Sequence, residues 1–111
     1  MSFFKSDVVR AEMAEISELQ EEVYQNVFKF PSMSKKERLE HVGILEKLLE
    51  KQKVLYTRMS LSDDPDAKEM RERIKESAVM MGMPPNTDMS IVLNNMSSML
   101  NMMKQQIDNE S

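Results

Sequence analysis

The apolar residues of this chain recur at intervals of three and four, and that rhythm breaks at only three places. The breaks are Phe28-Lys29-Phe30-Pro31, Ser62-Asp63-Asp64-Pro65 and Gly82-Met83-Pro84-Pro85. Spacing of three and four stacks side chains along one face of an α-helix. Proline pushes the residue before it out of the helical region, and glycine supplies the left-handed conformation that closes a helix. With 2 Gly and 4 Pro in 111 residues, the chain is poor in the turn-formers that a small all-β fold needs. The expectation is an all-α fold of about four helices, two of them long, forming an antiparallel bundle or extended helical hairpin. Residues 1–111 form a single domain in this reading.

The first helix is expected over 6–28, with Ser6 as its cap. Its seam is Val9, Met13, Ile16, Val23 and Val27, widened by Leu19. Glu12, Glu15, Glu18 and Glu22 read as a solvated acidic ridge on the opposite side. Phe3 and Phe4 precede the cap and are expected to fold back onto the first turn or a neighbour. Ser34-Lys35-Lys36-Glu37 fits a capping box at the start of the second helix. That helix carries Leu39, Val42, Ile44, Leu45, Leu48, Leu49, Val54, Leu55 and Met59, a stripe broad enough to meet neighbours on two sides. Gly43 in its interior either permits a close helix crossing or is simply tolerated. Asp63 or Asp64 caps a short third helix with Pro65 at its first position, and Gly82 closes it. Asn86 or Thr87 is the expected cap of the fourth helix. Its seam is Met89, Val92, Leu93, Met96, Met99, Leu100, Met103 and Ile107, and residues 108–111 are expected to fray.

Enzymatic patterns fare badly against these residues. There is no Cys, which removes disulfides, thiolate metal sites and Cys nucleophiles. His41 is the only histidine, and no strand-turn-helix elbow presents a serine to it. Carboxylate-bridged di-iron bundles need Glu-x-x-His pairs from two helices, whereas Glu37 lies four residues before the lone His41. Asp63, Asp64 and Asp66 lack the glycine and closing glutamate of an EF-hand loop, and helix capping explains them. Gly43 and Gly82 make no phosphate-binding loop. No catalytic residue, cofactor or metal is therefore expected. No run of about 18 apolar residues offers a membrane span, and Met1-Ser2-Phe3-Phe4-Lys5 is too short for a signal peptide. The expected location is cytoplasmic.

Charge is uneven within a formal net of −4. Residues 1–30 hold 3 basic and 6 acidic groups, and residues 31–60 hold 7 basic and 4 acidic. This favours neutralisation between helices or between subunits. It also defines a candidate basic face at Lys35, Lys36, Lys47, Lys51 and Arg58, the basis of an alternative reading as a nucleic-acid- or transcription-associated factor. Interleaved glutamates and an aromatic content of 5% weigh against direct nucleic-acid binding.

Eight of the 13 methionines lie between Met80 and Met103. Methionine is unbranched and polarisable, so a Met-rich helical face suits either a forgiving core or an adaptable contact with a partner. The candidate interaction surface is Phe3, Phe4, Met96, Met99, Leu100 and Met103. Self-association is the expected use, as a dimer, because two-fold pairing is the commonest closure. A host protein is the other candidate partner.

Several landmarks carry a family likeness. Phe3-Phe4-Lys5-Ser6-Asp7-Val8-Val9, Lys53-Val54-Leu55-Tyr56-Thr57-Arg58-Met59-Ser60-Leu61-Ser62-Asp63-Asp64 and Met81-Gly82-Met83-Pro84-Pro85 are three of them. The run Met89…Met96…Leu100…Met103 is the fourth. In their order and spacing the chain resembles a family of small, functionally uncharacterised α-helical proteins of cyanobacteria and their phages. It departs in the middle of the first helix, at Pro65, and in having methionine for several aromatics and leucines, as a divergent phage-borne copy would. The resemblance implies a cyanobacterial cytoplasm and a regulatory or interaction role, and it carries over no catalytic residue. The function expected is a non-enzymatic α-helical protein-interaction module.

Overall fold

The computed structural model describes residues 2–110 and is all-α. A 3-10 turn at Phe3–Lys5 leads into α1 (Asp7–Val27). A second 3-10 turn, Phe30–Ser32, separates it from α2 (Lys35–Leu61), and α3 (Pro65–Met80) and α4 (Met89–Asp108) follow. There is no strand among the described residues.

Each break is built as its residues dictate. Ser34 Oγ accepts from the Glu37 amide, and a Glu37 carboxylate oxygen accepts from the Ser34 amide, both at 3.2 Å. These two bonds hold the Glu37 carboxyl below the usual carboxylate range. Asp64 caps α3 by accepting from the Asp66 amide at 2.8 Å, with Pro65 in the first helical position. At the far end of α3, Gly82 takes φ 97°. The Met83 amide donates to the Ala78 carbonyl and the Gly82 amide to the Val79 carbonyl, the Schellman arrangement.

Three expectations about helix ends need correction. Ser6 stands at the α1 N-cap, but its side chain makes no capping bond. The α4 cap is Asp88, accepting from the Ser90 amide at 2.9 Å. Thr87 does not cap α4, because its hydroxyl and amide both donate to the Pro84 carbonyl and close the turn after Pro84-Pro85. Residues 108–110 are held: Lys35 Nζ donates to the carbonyls of Asp108 and Glu110 at 2.9 and 2.8 Å, and Arg38 pairs with Glu110. Ser111 lies outside the described residues.

The long α2 is the spine, with α1 and α4 packed on different sides of it. Glu12 pairs with Arg58 and Glu15 with Lys51, so α1 runs antiparallel to α2. Lys104–Glu46 and Arg38–Glu110 give α4 the same sense. Exposed pairs of this kind contribute at most about 1 kcal/mol each, so they fix register more than stability. Stability comes from Val9, Val42, Leu48, Leu49, Met59, Ala67, Ala78 and Ile107, the buried apolar set. Gly43 is exposed, and a Cβ built there meets nothing within 4 Å, so it serves no close crossing.

The core is small for the chain. Its Cα radius of gyration is 16.2 Å and its extents are 51 × 33 × 20 Å. A compact domain of this length has a radius near 13 Å. The accessible surface is 7933 Å². A folded monomer of 12.9 kDa exposes about 6,300 Å².

Candidate interaction surface

Two sources contribute to this excess. The first is a groove of about 400 Å³ floored by Leu55, Tyr56 and Met59 of α2. Met13 and Ile16 of α1, Met70 and Ile74 of α3, and Met89 and Leu93 of α4 form its walls, with Phe4 at its edge. α1 and α4 share α2 as their support, and the groove is the space left between them. Phe4 is placed there by the N-terminal turn. Asp64, while capping α3, also accepts from the Phe3 amide at 2.8 Å, and the Ser2 hydroxyl donates to Asp66 at 2.7 Å. The Phe3 and Phe4 rings pack edge to face at 5.1 Å. The expected fold-back of these two residues thus ends on the start of α3.

The second source is α4. Its inner side carries Leu93, Leu100 and the buried Ile107, at seven-residue spacing. Its outer side carries Ile91, Met99 and Met102, which are 59%, 64% and 61% exposed. With Asn95 they fall within about 80° of arc, a single stripe. Met96 and Met103, also exposed, border it on the inner side. From Met89 to Met103 this helix has no charged residue; Lys104 and Asp108 are its only ones. An exposed helix without charge lacks the usual protection against association.

The structure therefore divides the sequence-derived surface. Met96, Met99 and Met103 are exposed, Leu100 is half-buried, and Phe4 lines the groove with Phe3 packed on its ring. Ile91 and Met102 belong to the outer stripe and escaped the seam reading. The signal that points to them is the uncharged stretch 89–103 combined with their near-coincident helical angle.

The candidate basic face is largely engaged within the chain. Lys51 and Arg58 pair with Glu15 and Glu12, Lys35 donates to the α4 carbonyls, and Lys47 lies close enough to Glu15 to act on its charge. Lys36 pairs with no described acidic residue. The acidic ridge needs the matching correction, since Glu12 and Glu15 pair with α2, Glu12 largely covered and Glu15 still exposed. The Lys51 hydrogen bond, aided by the Lys51 and Lys47 charges, lowers the Glu15 carboxyl below its ordinary range.

His41 is 5% exposed and packs on Phe30 with ring centroids 5.5 Å apart. Its Nδ1 has no hydrogen-bond partner among the described residues. No group of three or more potential metal ligands occurs among the described residues, and none of their helices is long and apolar enough to cross a membrane.

No curated protein and no solved structure matches the chain. A family model described as a domain of unknown function, DUF1825, matches residues 1–107, nearly the whole chain. By that match, the chain belongs to the DUF1825 family, whose function is uncharacterised.

Proposed function

We propose that this protein is a non-enzymatic α-helical interaction module that works by presenting an apolar helix face to another protein. The observation that carries this reading is the uncharged, methionine-rich outer side of α4, left exposed at Ile91, Met99 and Met102. Thioether side chains adapt to a partner without a fixed complementary shape. In a cyanobacterial or phage setting, which the sequence resemblance implies, such a module modulates a host protein assembly.

The nucleic-acid alternative gains no support, because three of its five basic residues, Lys35, Lys51 and Arg58, are engaged with the end of α4, Glu15 and Glu12. The test is affinity capture with the folded wild type and with Met99→Glu/Met102→Glu, whose circular dichroism should be unchanged. The reading expects proteins recovered by the wild type to be lost from the double variant. Identical recovery from both contradicts it. Salt-sensitive DNA binding at roughly 50 mM salt favours the alternative.

A further inference from the structure

We infer that the partner for the outer stripe of α4 is a second copy of this chain, packed antiparallel across a two-fold axis. This rests on the interaction reading above and names its occupant. The first support is area. The chain exposes 7933 Å², about 1,600 Å² more than a monomer of its mass. A standard interface removes about 800 Å² from each partner. One symmetric contact along α4 therefore removes about half of the excess.

The second support is charge. Across a two-fold axis a surface meets itself, so every charged residue near the axis meets its own sign. A partner of opposite charge calls for a charged face, and a self-partner calls for a neutral one. The stretch Met89–Met103 has no charge at all. Charged residues are likewise depleted at the centres of known interfaces.

The third support is the length and pattern of the stripe. Ile91 to Met102 spans eleven residues, about 16 Å of helix. Its midpoint falls between Met96 and Ser97. Antiparallel pairing about that point sets Ile91 beside the other copy's Met102 and Met103, and Asn95 beside the other copy's Met99 and Ser98. β-branched Ile91 thus meets thioethers, which fill irregular gaps, and the central Asn95 retains neighbours that accept or donate hydrogen bonds. Lys104 and Asp108 lie outside the paired length.

The test uses sedimentation equilibrium of the full chain together with single-cysteine cross-linking, which the absence of native cysteine makes clean. Wild type should show a concentration-dependent dimer. Met99→Glu/Met102→Glu should sediment as a monomer with unchanged helicity, its dissociation constant raised more than a hundredfold. Asn95→Cys should cross-link to itself through a short bis-maleimide, and Glu18→Cys on α1 should not. A wild type that stays monomeric over a 100-fold concentration range reaching about 1 mM overturns the self-partner. So does a dimer that survives the double glutamate, or one in which only Glu18→Cys cross-links. A monomeric wild type that still loses a captured protein on the double substitution defeats the second copy alone. Failure of that capture contrast defeats the interaction reading.

Discussion

The two ends of α2 are built from different side chains. Its first half carries Val42, fully buried, with Leu48 and Leu49 beside it, and its start meets the last turn of α4. Branched side chains predominate there, and Lys35 and Arg38 clasp the α4 terminus. Its second half floors the groove, where Met13, Met70 and Met89 join Ile16, Ile74 and Leu93, none of them fully buried. Branched residues have few rotamers and fit one partner surface; methionine keeps three flexible torsions and fits several. Along α2 the packing is thus fixed by branched side chains at one end and adaptable at the other.

The largest expected effect tests that contrast directly. Leu49→Ala at the closed end should cost about 3 kcal/mol, because a buried leucine leaves a cavity. Leu93→Ala on the groove wall should cost about 1 kcal/mol, since that side chain is already partly exposed. Urea unfolding of both variants checks the ratio, and equal losses would erase the distinction between the ends. Next comes the N-terminal strap. Asp64→Ala removes both the α3 cap and the acceptor of the Phe3 amide. The expected loss is about 1–2 kcal/mol. Limited proteolysis should then cut before α1, releasing Phe4 from the groove. A cleavage pattern like that of the wild type would mean Phe4 is held by packing alone.

A smaller effect of opposite sign is expected at Gly43. An added Cβ meets open space, so Gly43→Ala should stabilise by about 0.5–1 kcal/mol through helix propensity. Destabilisation would show that something outside this chain approaches α2 there.

The smallest effect is pH dependence. Glu15 and Glu37 have lowered carboxyl pKa values in the folded protein. Their contribution is therefore complete above the unfolded carboxylate value, near 4.5, and is lost as pH falls through the lowered folded values. Glu15→Gln should flatten the acid limb of the stability curve by removing a small contribution present at neutral pH, so that variant and wild type converge in acid. Loss of stability on raising the pH from 5 to 7 would contradict the sign.

Much of this architecture is legible one helix at a time. Ser34 with Glu37, Pro65 after Asp64, and Gly82 before Pro84-Pro85 are local chemistry, and each sits where spacing places it. What spacing on one helix does not contain is the neighbour. Glu12 and Glu15 read as a solvated ridge because nothing in α1 reveals that Arg58 and Lys51 lie across from them. In hindsight the antiparallel match of acidic α1 to basic α2 is the available signal. Spacing suggests Asn86 or Thr87 as the α4 cap, but the Thr87 hydroxyl is spent on the Pro84 carbonyl and Asp88 takes the role. The groove was invisible for a similar reason: α1 and α4 each have a good seam, but both use α2, and the sequence does not say that a space remains between them. Half of the candidate surface followed from composition, since Met96, Met99 and Met103 are exposed. Ile91 and Met102 needed the helix orientation.

Methionine oxidation mapped across a dilution series tests the central claim most directly. The claim is that this chain leaves apolar surface for another macromolecule to cover. With mild peroxide and mass-spectrometric readout, buried Met59 should react slowly at every concentration, and Met80 and Met81, 89% and 81% exposed, quickly at every concentration. Met99 and Met102 should react quickly only in dilute protein and become protected as concentration rises. Reaction of Met99 and Met102 at the rate of Met80 throughout the series would contradict self-coverage of α4, and slow reaction of both in dilute protein would contradict the open face itself.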